Sequence, residues 1–443
     1  MVSAVHRSAF ATAVAAGLLT GALTVVSTPA AVGMVVLSLA ACVIVRAGAV
    51  GVSAITVGLL PWLVVFGDLL PHLTKTIAAA TAAVTFAIVA KPKGDKTPYS
   101  ILLRLGIVLL LVPVAISLAR QGTGAQFIQA AKYLIFPTMV LAVTSSAASE
   151  QLGSIRRAVL WSGGLAVSLE VFLGLAGFGN IGTTYHAGDI TGFGNPHDVG
   201  LLASCLAAGA VASRLSTTWR FALLGVTTIG TVLTGVRSAL LGLALLAVGM
   251  MIAARVKVRA VALVALCVAA VFAIGADQVV VHRFERSQSR GEFLQFSTYG
   301  SGRGAIYRSA LHHYITAPPG ELIFGTGLRT IRQFEEEDLG GAFVGHSDVI
   351  EVLVQLGAFG FLGLLLIWFV LFRRVGTMMP LLPLVAFSLT NGSLEYLAPV
   401  VVALVLTVGP HEKEVDEPVP TDVKELLQPS SATPSLVPYL RPT

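Results

Sequence analysis

GHSDVIEVLVQLGAFGFLGLLLI, residues 345–367, begins with polar side chains and continues as an apolar run. The run is long enough to begin a transmembrane helix, which needs about 20 mostly apolar residues. His346, Asp348 and Glu351 stand at its beginning, and each is costly to bury in lipid. The stretch therefore predicts a membrane helix whose first turn lies at a water boundary.

The composition of the whole chain is that of an integral membrane protein. Its 443 residues are 55% hydrophobic and only 12% charged, and the mean hydropathy is +0.84. Soluble proteins carry about 25% charged residues. The formal net charge of +6 does not indicate nucleic-acid binding, because the basic residues are scattered between apolar runs.

The apolar stretches predict an all-α polytopic membrane protein with about 12–14 transmembrane helices. The predicted spans lie near 9–27, 29–45, 47–66, 75–90, 100–118, 126–144, 158–178, 198–213, 219–234, 237–254, 260–281, 347–372, 376–390 and 394–409. Basic residues gather in alternate loops, and the positive-inside rule then favours a cytoplasmic position for both termini.

This count divides the chain into four regions. We expect a transmembrane bundle at 1–281, one long extracytoplasmic loop at 282–346, C-terminal transmembrane helices at 347–409 and a disordered cytoplasmic tail at 410–443. Within the loop, the apolar positions of 301–315 follow helical spacing, which predicts an amphipathic helix at the membrane surface. A loop of this length is where function is expected.

Polar residues on the predicted outer side are the candidates for a site. Arg237 begins a predicted helix on the side where positive charge is disfavoured, although an arginine there can also simply reach the interface. Arg303 and His346 have similar plain alternatives, a solvated arginine and an interfacial histidine. His197 and Asp198 stand where they can either bind a ligand or cap the helix after Pro196.

Four segments together resemble the O-antigen ligase and polymerase superfamily of bacterial membrane glycosyltransferases. They occur in the family's order: GFGNPHDVGLLAS (192–204), TGVRSALLGL (234–243), SGRGAIYRSAL…LIFGTGL (301–328) and the histidine segment from Gly345. The sequence departs from the family at Ser347, where asparagine is common, and at His197, where a second asparagine is common.

The resemblance implies transfer of a glycan from a polyprenyl-(pyro)phosphate carrier to an acceptor hydroxyl at the outer face of the cytoplasmic membrane. His346 would be the general base, and Arg237 and Arg303 would bind the carrier's phosphate. Asn195, His197 and Asp198 are further substrate-binding candidates. We expect no metal and no cofactor. The partners would be the lipid-linked oligosaccharide donor, a glycan, lipid or protein acceptor, and membrane lipids.

Two other functions stay open at this point. A lipid or polysaccharide flippase would carry charged residues in mid-membrane or repeated halves. A glycosyltransferase resembling the peptidoglycan polymerases would use Asp198 or Asp348 as its base instead of His346. Ligase and polymerase share the donor chemistry, so the sequence does not distinguish them.

Overall fold

A computed structural model of the chain describes residues 48–69, 72–90, 97–145, 150–178, 192–252, 303–339 and 347–408. These parts are α-helices joined by turns and short 3-10 helices, and they include no β-strand. The predicted all-α fold is therefore confirmed. The spans predicted near 9–27, 29–45 and 260–281 and the tail at 410–443 lie outside the described residues.

The described helices are numbered here in chain order. They are α1 Gly48–Val65, α2 His72–Ala90, α3 Pro98–Gln121, α4 Gly124–Ser145, α5 Glu150–Leu175, α6 Pro196–Val211, α7 Thr217–Leu233, α8 Arg237–Ile252, α9 Arg303–Ile315, α10 Pro319–Phe324, α11 Thr330–Leu339, α12 Asp348–Arg374, α13 Leu381–Thr390 and α14 Leu397–Leu406.

Several helices are built to cross a membrane. Among the described residues, α1, α3, α4, α5 and α12 are long and apolar enough to span it, and α2, α6, α8, α13 and α14 contain shorter apolar helices. On α3, Ile101, Leu105, Val108 and Val112 form an exposed apolar stripe at helical spacing. Such a stripe suits lipid, and the protein is a multi-pass membrane protein.

Polar contacts join helix ends at one end of the bundle. Lys75 near the start of α2 pairs with Asp198 in the first turn of α6 over 3.1 Å. Thr390, which ends α13, donates to Ser238 at the start of α8 over 2.8 Å. We call the end of the bundle where α2, α4, α6, α8 and α12 begin the polar end.

Arg156, near the start of α5, marks the opposite end. Its guanidinium donates to the carbonyl oxygen of Ala212, just after α6, and to that of Val408, just after α14, at 2.7 and 3.0 Å. α5 therefore begins at the end of the bundle where α6 and α14 end. Which end faces the cytoplasm stays a prediction.

The last two apolar helices are shorter than predicted. α13 and α14 have 10 residues each, so each rises only about 15 Å, half of a hydrocarbon core about 30 Å thick. The amide of Thr377 donates to the carbonyl of Thr407 over 3.1 Å, which holds their far ends together. The residues at 391–396 connect the two short helices, and Asn391, Ser393 and Leu394 among them are buried. We call this segment the recessed connection.

α12 is kinked, whereas the sequence predicted one continuous span from 347 to 372. Gly357 has φ +67° inside the helix, a backbone conformation that suits glycine. The kink frees carbonyl groups of the preceding turn. Val354 accepts from the amide of Thr326 at 3.0 Å, and Gln355 accepts from that of Gly327 at 3.1 Å. The turn at 324–328 thus docks into the kink.

Candidate functional site

The first turn of α12 binds the recessed connection directly. The carboxylate of Asp348 accepts hydrogen bonds from the amide and hydroxyl of Ser393, at 2.9 and 2.6 Å, and from the amide of Leu394 at 3.1 Å. Asp348 is buried. Its carboxylate therefore satisfies backbone groups that would otherwise lack partners in the irregular connection between α13 and α14.

One turn further along α12, a buried ion cluster joins three elements. Lys132 of α4 pairs with Glu351 of α12 over 2.6 Å and also with Glu395 of the recessed connection. Gln129 donates to Glu351 at 2.9 Å and to Gln355 at 2.8 Å. We call Lys132, Glu351 and Glu395 the ion triad. None of these three residues was among the predicted site residues, although a lysine in an apolar run needs an acidic partner.

The beginning of α6 carries the three candidates from the asparagine-proline segment. Asn195 caps the helix, since its side chain accepts from the amide of His197 at 2.9 Å. Capping therefore falls to Asn195 rather than to His197 or Asp198. Asn391 donates to Nδ1 of His197 over 3.0 Å, and the His197 ring stacks on Tyr396. Asp198 is held by Lys75.

The three principal candidates are described to different extents. Arg237 is the first residue of α8 and is partly buried, beside the Ser238 contact at the polar end. Arg303 is the first residue of α9, and only its backbone is described. His346 lies outside the described residues, which resume at Ser347. The starts of α6, α8 and α12 share one end of the bundle, but no contact among these three side chains is established.

The predicted helix of the long loop is confirmed as α9, with a different environment for its apolar face. Ala310 and Tyr314 are buried in one cluster with Ile331 of α11 and Val354 of α12. The hydroxyl of Tyr314 donates to the carbonyl of Leu322 at 2.7 Å, and burial raises the pKa of this tyrosine. The apolar face thus packs onto α11 and α12.

A second contact ties α9 to α11 on their exposed side. His313 lies 3.2 Å from the carboxylate of Asp338, and its ring stacks on Phe334 with centroids 4.1 Å apart. The hydrogen bond from Ser309 lowers the pKa of Asp338, and the neighbouring charge of His313 adds to the effect. α9 and α11 therefore form one small packed unit on the polar end.

Two arginines, one just before α11 and one in its first turn, were not among the predicted site residues. Arg329 has φ +69°, which is uncommon for a residue with a side chain, and its amide donates to Gln355 at 3.2 Å. Arg332 acts electrostatically on Glu395 of the ion triad. Leu328, the last residue of the turn, donates its amide to the hydroxyl of Ser117, and its carbonyl accepts from Gln126. This segment of the loop thus lies against the same network as α12.

The described parts of the chain lack a cluster of metal-ligating side chains. They contain no group of three or more histidine, cysteine, aspartate or glutamate side chains that is arranged to hold a metal ion. In the ion triad, the carboxylates of Glu351 and Glu395 face Lys132 instead. Metal independence of the reaction stays a prediction.

Comparison with known proteins gives one match. Residues 221–365 match the family model described as O-antigen ligase. A search of curated proteins gave no match. The matched range contains α8, the loop helices α9, α10 and α11, and the kinked part of α12. It therefore covers three of the four segments on which the resemblance was based, and all but the segment at 192–204.

Proposed function

We propose that this chain, a multi-pass bacterial membrane protein of the O-antigen ligase superfamily, transfers a glycan from a polyprenyl-(pyro)phosphate carrier to an acceptor hydroxyl. The reaction would take place at the outer face of the cytoplasmic membrane. One observation carries the proposal: the O-antigen ligase match falls on the elements that pack around the polar end. Both termini would then face the cytoplasm, as the loop charges predict.

The proposed chemistry is a displacement at the sugar's anomeric carbon. The acceptor oxygen forms the new glycosidic bond, the bond between sugar and phosphate breaks, and the phosphate leaves on its lipid carrier. The imidazole of His346 takes the acceptor's proton, for which its ordinary pKa near 6.5 is suited. Arg237 and Arg303 stabilise the phosphate, because the guanidinium fork stays charged and binds two oxygens.

The beginning of α6 would bind the sugar. Asn195, His197 and Asp198 offer an amide, an imidazole and a carboxylate at the polar end, and each is held by a neighbour in the bundle. Groups that are fixed before binding lose little conformational entropy when a ligand arrives. This arrangement supports a role in orienting the donor glycan rather than in proton transfer.

An acidic base is the competing mechanism, and the contacts of Asp348 and Asp198 count against it. Both oxygens of Asp348 accept hydrogen bonds from the recessed connection. Asp198 pairs with Lys75. Both carboxylates are thus already engaged by groups of the bundle. These contacts support a structural role for Asp348 and a sugar-orienting role for Asp198, and the proposal leaves proton transfer to His346.

A lipid or polysaccharide transporter is the second candidate function. One observation favours it: Lys132 and Glu351 are buried charges in helices long enough to span the membrane. Such residues often mark a transport pathway. The two functions differ in their products. A transporter moves the lipid-linked glycan across the vesicle membrane and forms no new glycosidic bond, whereas a transferase forms that bond.

Analysis of surface glycans in a deletion strain tests the proposal in cells. We expect intact lipid-linked glycan to persist while the attached or extended polymer is lost. Loss of long chains alone identifies a polymerase, and retained lipid-linked chains with no attached polymer identify a ligase. Unchanged surface glycans, with the lipid-linked donor also unchanged, would contradict both forms of the proposal.

A further inference from the structure

The ion triad lies where three elements of the bundle meet. Lys132 comes from α4, Glu351 from the first turns of α12 and Glu395 from the recessed connection. The side chains of Lys132 and Glu351 are 5% and 3% exposed, and that of Glu395 is 29% exposed. Neither the family match nor the proposed chemistry gives these residues a task.

We infer that Lys132 is a positioning residue that holds the substrate-binding segments of the polar end in register for transfer. The inference rests on the proposed function and adds a residue to it. Lys132 would act through Glu351 and Glu395, without touching donor or acceptor.

As a first step, removal of Lys132 would change the electrostatic balance of the ion triad. Lys132 lies between two carboxylates, so its removal leaves Glu351 facing Glu395 without the ammonium that pairs with both. The charge of Arg332 still acts on Glu395. Removing one partner of a buried ion pair strongly destabilises the folded protein, because the other charge stays buried without compensation. Like charges in a buried site also repel more strongly than they would in water. The start of α12 and the recessed connection would therefore move apart, or one carboxylate would be neutralised.

The second step is the connection from the triad to α6. Glu395 belongs to the same short connection as Asn391 and Tyr396. Asn391 donates to His197 and to the hydroxyl of Tyr396, both at 3.0 Å, and Tyr396 stacks on the His197 ring. A displacement of the connection therefore displaces the groups that support His197.

The third step is the connection from the triad to the long loop. Gln129 bridges Glu351 and Gln355, and Gln355 accepts from the amide of Arg329 at 3.2 Å. α12 also receives the docked turn through Val354 and Gln355. Movement of the first turns of α12 is thus passed to the described part of the long loop, which begins at Arg303. A misplacement of about 1 Å far from the chemistry can lower a rate about a hundredfold.

The experiment compares the purified full-length protein with its Lys132→Met and Lys132→Arg variants. A polyprenyl-pyrophosphate-linked oligosaccharide with a labelled sugar serves as the donor, and kcat and the donor KM are measured separately with the melting temperature. We expect Lys132→Met to lower kcat at least about tenfold with little change in KM. Lys132→Arg keeps the charge and should recover most of the lost rate.

Arg156→Met is the matched control. Arg156 is also a buried cation, but it holds the carbonyls that follow α6 and α14 at the opposite end. The Arg156→Met variant should have a lower melting temperature than the wild type, while its kcat stays at the wild-type value. If Lys132→Met does not fold, Glu395→Gln replaces it, since that side chain is more exposed and the change also leaves the triad incomplete.

Each outcome bears on one claim. Wild-type kcat in Lys132→Met, or an equal loss of kcat in Arg156→Met, overturns the positioning role. For Glu395→Gln, an unchanged kcat overturns it as well. A wild-type protein that folds but forms no transfer product overturns the proposed function instead, so the two failures are distinguishable.

Discussion

The backbones of Gly325 and Gly357 lie in direct contact. A Cβ atom added at Gly357 would come within 2.4 Å of the amide nitrogen of Gly325, and one added at Gly325 would come within 2.1 Å of the carbonyl oxygen of Gln355. Both residues also have positive φ, +86° at Gly325 and +67° at Gly357. The close approach is what lets the turn at 324–328 enter the kink of α12.

Replacement of either glycine should therefore be costly. We expect Gly325→Ala and Gly357→Ala each to destabilise the folded protein by at least about 2 kcal/mol, through steric overlap and backbone strain. Thermal unfolding in detergent measures the effect. Gly320→Ala is the control, because a Cβ at Gly320 meets nothing within 4 Å. Equal melting temperatures for all three variants would contradict the docking of the turn.

The sequence predicted the long helices well because each is a sustained apolar run. The structure begins α8 at Arg237 and α12 at Asp348, within one residue of the predicted spans. The kink at Gly357 was not predictable in the same way, because glycine also occurs within straight membrane helices. The turn that docks into the kink lies 28 residues earlier in the chain, counted from Thr326 to Val354, and hydropathy carries no information on that pairing.

The candidate site was predicted less completely. Asp198 and His197 were expected to cap α6 or to bind a ligand, and the structure gives the cap to Asn195. Lys132 is the only charged residue in the apolar run at 126–144. Its partners Glu351 and Glu395 are 219 and 263 residues away. Such partners follow from tertiary packing, which a single sequence does not reveal.

The contact between His313 and Asp338 should depend on pH. Because the folded-state pKa of Asp338 lies below its ordinary value of 3.8, its contribution to stability is present above about pH 4 and is lost as the pH falls through the lowered pKa. Hydrogen exchange of α9 amides in the wild type and in Asp338→Asn measures it. We expect Asp338→Asn to speed exchange at neutral pH and the difference to shrink below about pH 3. A difference that grows on acidification would contradict this sign.

The rate of glycan transfer should depend on the guanidinium group of Arg237, which is proposed to stabilise the carrier's phosphate. We expect Arg237→Ala to lower kcat about 10²–10³-fold, as removal of a preorganised group that stabilises developing negative charge does. Arg237→Lys should fall between the two, since lysine keeps the charge and loses the planar fork. Arg220→Ala serves as the control, because Arg220 binds the carbonyl of Leu215 at the start of α7. Equal rates for Arg237→Ala and Arg220→Ala would remove Arg237 from the site.

Transfer should proceed without a divalent cation. The proposal gives the stabilisation of the leaving phosphate to arginines, whose charge is permanent. Protein washed with EDTA should therefore transfer the labelled glycan at its original rate. A rate that falls on EDTA treatment and returns with Mg²⁺ would show that a metal ion takes part.

The most direct measurement of the central claim is glycan transfer by purified wild-type and His346→Ala proteins in lipid vesicles. The donor is a labelled oligosaccharide on polyprenyl pyrophosphate, and the product is the glycan bound to the acceptor hydroxyl. We expect the wild type to form this product and His346→Ala to form it about 10²–10⁴-fold more slowly at equal melting temperature. Transfer by His346→Ala at the wild-type rate would contradict the assignment of the base, and no product from the folded wild type would contradict the function itself.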